Sequence, residues 1–295
     1  MQATLIRIIA KLISLLPLSW CQRLGTLVAQ LLWLFNTTSR RVTEFNIAHC
    51  YPDLQKNERR TLARQSVIET GKQVMECAWI WNRPVSETLP LLIESRNETL
   101  FTDALESNDG LIIVSPHMGN WELCMLPITQ KTPFTYFYRA PRNPSLGPLL
   151  IKWRAHLGGK PALLDSGGIR TGMKVLKNGG TLGILPDQEP DRDNGVFAPL
   201  FGQPALTMTL LPKLAARSKA NVIYIVSERR EHEKGWVVHY LQADPDITNT
   251  DPVKAAAAIN RDVERCIEIN PAQYLWDYKR FSMRPDGTRR YFERK

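Results

Sequence analysis

The sequence lacks the residue patterns of a disulfide-bonded or zinc-binding protein. Its five cysteines are scattered and odd in number, and no two of them form a CxxC pair. Its five histidines include no pair at HxxH-type spacing. Structural zinc sites need such clustered ligands, so the pattern predicts reduced cysteines that pack in the interior, and no bound metal.

The sequence also lacks an uncharged hydrophobic run long enough to cross a membrane. Its most hydrophobic part spans residues 3–35, but Arg7, Lys11 and Arg23 interrupt it. The longest uncharged stretch, residues 24–39, is shorter than the roughly 20 residues that a spanning helix needs. No small-residue cleavage site follows the hydrophobic part, which argues against a signal peptide.

The pattern of residues 1–40 therefore predicts a membrane-associating segment of two amphipathic helices that meet at Pro17. Arg7 and Lys11 lie four residues apart on one helical face, as expected for a helix in the membrane interface. Trp20 and Trp33 are suited to headgroup depth in that interface, and Arg40 and Arg41 are suited to contact anionic lipid. A tilted single span and a helical hairpin packed on the body of the protein are the alternatives.

No internal repeat, low-complexity tract or long linker divides residues 41–295, which we expect to form a single α/β domain. Short apolar runs alternate there with segments of helical character, a pattern typical of a largely parallel sheet flanked by helices. The predicted strands cover residues 111–114, 134–138, 181–185 and 222–226, with an edge strand at 236–241. The predicted helices cover residues 57–81 with Asn57 as cap, 168–177, 206–216 and 252–269.

Positive charge is in excess. There are 38 lysines and arginines against 29 aspartates and glutamates, for a formal net charge of +9. Such an excess indicates an anionic partner, which is a nucleic acid, a phospholipid surface or an acidic protein. The chain lacks the basic-aromatic patterns of RNA-binding and oligonucleotide-binding folds, so we expect no nucleic acid partner.

The stretch GLIIVSPHMGNWE, residues 110–122, places an imidazole and a carboxylate just beyond a buried strand. In open α/β sheets, ligands usually gather at the carboxyl ends of the strands. A neutral imidazole is a natural general base, and a carboxylate on its far nitrogen would fix its tautomer. We therefore predict a dyad in which Glu122 orients His117, with Asn120 capping the helix that follows. The alternative is that His117 caps the strand and Glu122 complements a helix dipole.

Five short motifs, in order, resemble those of the bacterial lipid A biosynthesis acyltransferases, the late acyl-chain-adding enzymes of outer-membrane synthesis. HMGNWE is similar to their HxxxxE signature, YRAPRNPSL at 138–146 to their Tyr-Arg block, and LPDQ at 185–188 to their Pro-Asp motif. PLFGQPA at 199–205 and NPAQYLWDYKRF at 270–281 resemble two further elements. The resemblance implies a glycerolipid-acyltransferase-like α/β fold with an N-terminal membrane anchor.

The resemblance also implies an O-acyltransferase at the cytoplasmic face of the bacterial inner membrane, working without a cofactor. It would move a fatty acyl chain from an acyl carrier protein thioester to a hydroxyl of a phosphorylated glucosamine disaccharide lipid. His117 would take the proton of that hydroxyl, so that the chain moves without a covalent enzyme intermediate. The rival is a covalent route through Ser115 or a cysteine, but Ser115 lacks the GxSxG elbow.

Other residues in these blocks are candidates for substrate binding. Arg154 and Asp187 lie where the family carries further site residues. Arg154 would stabilise a developing oxyanion, and Asp187 would hold that arginine or a sugar hydroxyl. The remaining candidates are Arg139 and Arg142 for phosphate, Arg280 beside Lys279 as an anion-contacting edge, Asn120 and Gln188, with Trp121 and Leu210 near the acyl chain.

Two other functions fit part of the sequence. One is acyl-CoA-dependent acylation of another glycolipid, such as a phosphatidylinositol mannoside, which the same dyad would serve. The other is a non-enzymatic basic protein that binds membranes. The positive charge alone supports this second function, and it leaves HMGNWE and LPDQ unexplained.

Overall fold

Short apolar runs form the central strands of the protein. A computed structural model describes residues 2–141, 143–230 and 235–290. The strands are β1 (Leu92–Arg96), β2 (Leu111–Val114), β3 (Phe134–Tyr138), β4 (Gly159–Leu163), β5 (Thr181–Ile184), β6 (Gly195–Leu200), β7 (Gln203–Met208), β8 (Asn221–Arg230) and β9 (Gly235–Gln242). The helices are α1 (Gln2–Ser14), α2 (Leu18–Leu34), α3 (Thr38–Cys50), α4 (Lys56–Ile80), α5 (Val85–Thr88), α6 (Thr99–Glu106), α7 (Met125–Thr129), α8 (Gly147–His156), α9 (Ser166–Lys177), α10 (Leu210–Ser218) and α11 (Pro252–Ile269).

A seven-stranded sheet has the order β1-β9-β8-β2-β5-β3-β4, and β6 pairs with β7 in a separate antiparallel hairpin. Neighbours in the large sheet are parallel except β8 and β9. Every residue of β2 and β5 is buried, as expected for strands covered on both faces. The predicted α/β fold with a mostly parallel sheet flanked by helices is confirmed. The prediction that β9 is an edge strand is wrong, because it lies between β1 and β8.

Side chains of the strands alternate between two hydrophobic layers. Ile112 and Val114 face a layer formed with α2, α3, α9, α10 and α11. Leu111 and Ile113 face the other, formed with α6 and α7. Burying a side chain of this size contributes about 1.5–3 kcal/mol. The ends of the central strands are therefore fixed from both sides, which positions whatever follows them.

Helices α1 and α2 meet at Pro17, as predicted, and α2 packs closely on α4. A Cβ atom on Gly25 would lie 2.5 Å from the carbonyl oxygen of Gly71, so the two backbones approach each other through glycine. The exposed apolar face of these helices and of the turn between them includes Leu5, Ile8, Ile9, Leu12, Leu15, Trp20, Leu27, Leu31, Leu32 and Leu34. Within the described part of the chain, no helix is long and apolar enough to cross a membrane.

Three predicted helices begin elsewhere, and the one predicted from residue 168, α9, begins at Ser166. Helix α4 starts at Lys56, and the N–H of Gln55 donates to the Glu58 carboxylate over 2.7 Å, so Asn57 is not the cap. Residues 206–208, which we expected in a helix, belong to strand β7 instead. A tight turn at Phe201, with a φ of 50°, reverses the chain and pairs these residues with β6.

Candidate active site

His117 and Asp187 follow two neighbouring parallel strands. β2 and β5 pair in register up to Val114 and Ile184, and each site residue comes the same distance further along its chain segment. One Asp187 oxygen accepts the backbone N–H of His117 over 2.9 Å, and the other lies 2.8 Å from its Nδ1. The side chain of His117 is 14% exposed and that of Asp187 is 3% exposed. The imidazole is therefore the more solvent-accessible member of the pair.

Asp187 determines which nitrogen of His117 carries the proton. A carboxylate only accepts hydrogen bonds, so the proton lies on Nδ1. Burial by itself raises the pKa of Asp187, but the imidazole and its hydrogen bonds outweigh burial and hold that pKa below its usual value. Nε2 then carries a lone pair, and the side-chain amide of Gln188 lies 3.2 Å from it. Nε2 is the atom that can take a proton.

Glu122 does not pair with His117, so the predicted dyad is wrong in its carboxylate. Residues 121–124 form turns and α7 begins only at Met125, so Glu122 does not lie on a helical turn beside the imidazole. Its carboxylate instead accepts hydrogen bonds from Arg154, over 2.6 Å from Nη2 and 3.0 Å from Nε. The carboxylate that fixes the imidazole is supplied by a neighbouring strand.

Glu122 and Arg154 form an ion pair that is shielded from solvent. The side chain of Glu122 is 2% exposed and that of Arg154, on α8, is 22% exposed. Burial by itself lowers the pKa of Arg154, but the charge and hydrogen bonds of Glu122 outweigh burial and raise it. Trp81 also donates its indole N–H to Glu122 over 3.3 Å. Arg154 is thus a fixed cation whose charge is balanced by Glu122.

Backbone contacts hold the HMGN turn. Gly119 has a φ of 58°, and a Cβ atom there would lie 1.8 Å from the carbonyl oxygen of Ser227, so only glycine fits. The N–H of Gly119 donates to the carbonyl of Gln273 over 2.9 Å. Asn120 is buried and donates to Glu76 over 3.2 Å. The prediction that Asn120 caps a helix is therefore wrong, because it anchors the turn instead.

A buried charged cluster behind this turn was not predicted. Arg229 of β8 donates to both oxygens of Glu76, each over 2.5 Å, and also pairs with Glu69. Gln22 of α2 donates to Glu76 over 2.8 Å. The seven-residue spacing of Glu69 and Glu76, which puts both on one face of a helix, was the signal available in the sequence. The cluster connects α2, α4 and β8 to the turn that follows His117.

A cavity of about 700 Å³ opens beside His117. Its wall comes from both faces of the sheet, because β3 pairs with β5 only from Phe134 to Tyr136. One side is lined by Ile113, Met125, Ile128, Phe134, Tyr136 and Ile225, and the other by Leu164, Ile169, Met173, Leu210 and Leu214. Trp121, Glu122, Arg154 and Gln188 also line it. A space of this size with an apolar wall suits a hydrocarbon chain.

The three remaining arginines from the sequence prediction differ in position. Arg139 lines the cavity, is well exposed, and lies 3.5 Å from Asp191. Arg142 lies outside the described residues. Arg280 is 2% exposed and donates to the carbonyl oxygen of Leu206 over 2.6 Å. Its guanidinium binds the β6-β7 hairpin and is buried, so the expectation that it contacts substrate is wrong.

A family model matches the chain over nearly its whole length. The model describes the bacterial lipid A biosynthesis acyltransferases, and it covers residues 2–283. The chain belongs to this family. It is therefore an O-acyltransferase, as the sequence motifs predicted.

Curated relatives carry matching names. The chain is 28% identical over 284 residues to the lipid A biosynthesis lauroyltransferase of Escherichia coli (strain K12). The matched region covers 94% of this chain and 90% of that protein. It is 29% identical over 264 residues to a lipid A biosynthesis acyltransferase of Haemophilus influenzae, covering 86% and 82%. It is 24% identical over 268 residues to the Escherichia coli palmitoleoyltransferase, covering 90% and 85%.

Three motifs of this lipid A acyltransferase family member meet at the imidazole. HMGNWE and LPDQ supply His117 and Asp187 from adjacent strand ends. NPAQYLWDYKRF packs against the first of them, and the N–H of Leu275 donates to the carbonyl of His117 over 2.9 Å. PLFGQPA forms the turn of the β6-β7 hairpin, and YRAPRNPSL begins at the end of β3. Residues far apart in the chain thus build one site.

The groups that a covalent acyl-enzyme would need are poorly placed in this acyltransferase. The hydroxyl of Ser115 donates to the carbonyl of Pro116 over 3.3 Å. Cys124 lines the cavity, but burial raises the pKa of its thiol to about 11, so the thiol is protonated at neutral pH. Among the residues that the structure describes, no three or more His, Cys, Asp or Glu are grouped to hold a metal ion.

Proposed function

We propose that this protein transfers a fatty acyl chain from an acyl carrier protein thioester to a hydroxyl of a lipid A precursor, a phosphorylated glucosamine disaccharide lipid. The observation that carries the proposal is the His117–Asp187 pair, which borders an apolar cavity of about 700 Å³. The names of two similar Escherichia coli proteins, a lauroyltransferase and a palmitoleoyltransferase, support an acyl chain as the transferred group.

In the proposed reaction, His117 is the general base. Its Nε2 displaces the Gln188 amide and takes the proton of the acceptor hydroxyl as the hydroxyl oxygen attacks the thioester carbonyl. Asp187 holds Nδ1–H in place and stabilises the imidazolium that forms. When the tetrahedral intermediate collapses, the C–S bond breaks and the imidazolium returns its proton to the leaving thiolate. The chain passes directly from donor to acceptor.

Charges at the cavity support anionic substrates. Arg139, Lys213 and Arg217 line it, together with the acidic residues Glu189 and Asp191. A guanidinium fork matches the oxygens of a phosphate, so we expect Arg139 to contact the acceptor phosphate. The net charge of +9 also favours an acidic carrier protein and an anionic membrane surface.

The proposed function is tested by acyl transfer with the purified full-length protein. With a phosphorylated lipid A precursor and acyl carrier protein carrying a fatty acyl chain, we expect mass spectrometry to detect an acceptor heavier by one acyl group. An acceptor stripped of phosphate should react more slowly, since a hydrogen bond to a charged group contributes about 1.5–3 kcal/mol. Arg139→Ala should reduce the difference in transfer rate between the phosphorylated and the phosphate-free acceptor.

The donor and acceptor classes are separated in the same assay. Acyl-CoA should be the poorer donor. Faster transfer from acyl-CoA to another glycolipid, such as a phosphatidylinositol mannoside, would replace the proposal with that alternative. No transfer to any acceptor would refute the proposed function.

We also propose that residues 1–40 associate with the cytoplasmic face of the bacterial inner membrane. The exposed apolar face of α1 and α2 supports this, because soluble proteins rarely expose so many large apolar side chains together. Arg7 and Lys11 lie on α1 and would meet anionic headgroups. We expect these helices to lie along the membrane surface.

Charges on the exposed apolar face should weaken membrane binding. Ile8 and Leu12 of α1 are 50% and 59% exposed, so Ile8→Glu with Leu12→Glu should leave the fold intact. Each buried side chain of this kind contributes about 1.5–3 kcal/mol, so vesicle affinity should fall at least about tenfold. Sedimentation with vesicles of anionic phospholipid measures this. The matched control is Val253→Glu on α11, where the side chain is 45% exposed. Equal binding by the double variant and the control would contradict the proposal.

A further inference from the structure

Two tyrosines that line the cavity have hydroxyls without hydrogen-bond partners in the described part of the chain. Tyr136 and Tyr138 alternate along β3 on the same face, line the cavity, and are 5% and 3% exposed. Each hydroxyl is buried and has no hydrogen-bond partner in residues 2–141, 143–230 or 235–290. Buried polar groups are nearly always hydrogen-bonded, because an unmade bond costs free energy. Two such groups on tyrosines that line a substrate cavity indicate donors reserved for a ligand.

Arg154 adds a third donor beside them. Its guanidinium carbon lies 5.6 Å from the centre of the Tyr136 ring. Glu122 takes the hydrogen bonds of Nε and Nη2, and Nη1 has no partner within the described part of the chain. Burial raises the pKa of Tyr136 to about 12 and also raises that of Tyr138, so both phenols keep their protons and donate. We call Tyr136, Tyr138 and Arg154 the tyrosine niche.

The surroundings of the tyrosine niche select a neutral oxygen. Glu122 balances the charge of Arg154, so the niche has little net charge to offer a phosphate. The neighbouring wall is apolar, with Ile113, Met125, Ile128 and Phe134. A carbonyl oxygen at the head of a hydrocarbon chain meets both conditions, because it accepts from the phenols while the chain contacts the apolar side chains.

We propose that the hydroxyls of Tyr136 and Tyr138 bind the thioester carbonyl oxygen of the acyl donor and stabilise the negative charge that develops on it. This inference rests on the proposed acyl transfer. As the acceptor oxygen bonds to the carbonyl carbon and its proton goes to His117, the C=O π electrons move onto the carbonyl oxygen. The phenols donate hydrogen bonds to that oxygen and transfer no proton. The C=O bond then re-forms and the C–S bond breaks.

Removing one oxygen atom at a time tests this inference. Tyr136→Phe and Tyr138→Phe keep the ring and delete the hydroxyl. We expect kcat to fall about tenfold to a hundredfold in each, which is at or below the lower limit of the range of about a hundredfold to a thousandfold for an oxyanion donor, because the other donors remain. KM for the acceptor should not change. The matched control is Tyr240→Phe on β9, whose hydroxyl is equally buried and unpartnered in the described chain but does not line the cavity.

Stability separates a binding role from a structural one. Deleting an unpartnered buried hydroxyl removes an unfavourable group, so all three variants should unfold at or above the wild-type temperature. Loss of activity together with unchanged or higher stability is the expected signature of the two cavity tyrosines. Lower unfolding temperatures for Tyr136→Phe and Tyr138→Phe would instead show that the hydroxyls hold the fold.

Each of the remaining outcomes overturns either this inference or the proposed function. If the wild type transfers acyl chains and a variant carrying both Tyr136→Phe and Tyr138→Phe matches Tyr240→Phe in kcat, the tyrosine niche does not stabilise the reaction and the proposed function stands. A higher KM for the acceptor with kcat intact would mean that the hydroxyls bind the acceptor and would overturn the inference. Absence of transfer by the wild type would overturn the proposed function and the inference together.

Discussion

His117→Ala should lower kcat for acyl transfer by about a hundredfold to ten-thousandfold, the range for removing a general base. The variant should stay folded, because Asp187 keeps the backbone N–H of residue 117 as a partner. Initial rates with an acyl carrier protein thioester as the donor measure the loss of kcat, and circular dichroism checks the fold. Near-normal turnover would remove His117 from the mechanism.

Asp187→Asn should cause a loss of similar size. An asparagine that still accepts the backbone N–H of residue 117 must turn its NH₂ group toward Nδ1, which moves the imidazole proton to Nε2. The base atom is then blocked. The folded-state pKa of Asp187 is lowered, so its carboxylate stabilises the fold above the unfolded pKa of about 3.9 and loses that effect as pH falls through the folded pKa. The stability gap between wild type and Asp187→Asn should therefore shrink below about pH 4.

His239→Ala is the matched control for this pair. The His239 ring lies 3.0 Å from the carboxylate of Glu228 and is buried, but it does not line the cavity. Its removal should cost stability and leave kcat close to the wild-type value. A loss of transfer equal to that of His117→Ala would show that the assay reports folding.

Glu122→Ala should destabilise the protein by about 3–5 kcal/mol and abolish most transfer. It leaves the guanidinium of Arg154, whose side chain is 22% exposed, without its partner, and breaking one side of a buried ion pair costs about that much. Urea unfolding measures the stability. The double change with Arg154→Ala should be less destabilising than the sum of the two single changes, because no uncompensated charge remains.

The control for Glu122→Ala is an ion pair at the surface. Glu98 lies 2.6 Å from Lys131, and their side chains are 37% and 39% exposed. Glu98→Ala should change stability by no more than about 1 kcal/mol, because solvent screens exposed pairs. If Glu122→Ala is as stable as Glu98→Ala, the ion pair with Arg154 does not hold the cavity wall.

The buried strands and the last long helix could be predicted from the sequence. The apolar run at residues 111–114 is bounded by turn residues, and the structure gives β2 the same limits. Helix α11 runs from Pro252 to Ile269 as predicted, with Asp251 accepting the N–H of Val253 over 2.8 Å at its start. These elements follow from local patterns, so no knowledge of distant contacts was needed.

Two edge strands of the sheet were missed because they lack an apolar run. β1, with the sequence LIESR, is largely exposed, and β4 contains Pro161. An edge strand is covered on fewer sides, so its sequence need not be hydrophobic. These strands are recognised only from their pairing with β9 and β3.

The sequence named the side chains that meet at the cavity, but it predicted the wrong pairs among them. His117 and Glu122 stand close together in the sequence, and proximity along the chain suggested a dyad. Asp187 reaches His117 because β5 lies next to β2, although 70 positions separate them. Strand order is a property of the whole sheet, and it does not follow from any short motif.

The hydrogen bond from Gln22 to Glu76, over 2.8 Å, has a practical consequence for anyone who purifies the protein. Glu76 in turn holds Asn120 in the turn after His117, so hydrogen bonds connect α2 to that turn. Shortening the chain to begin at Thr38, a common way to obtain a detergent-free enzyme, would remove that link and take Ala29 and Trp33 out of the hydrophobic layer that they share with α4. Solubility gained by truncation would come with a loosened loop, so detergent or nanodisc preparations of the full chain are the better material.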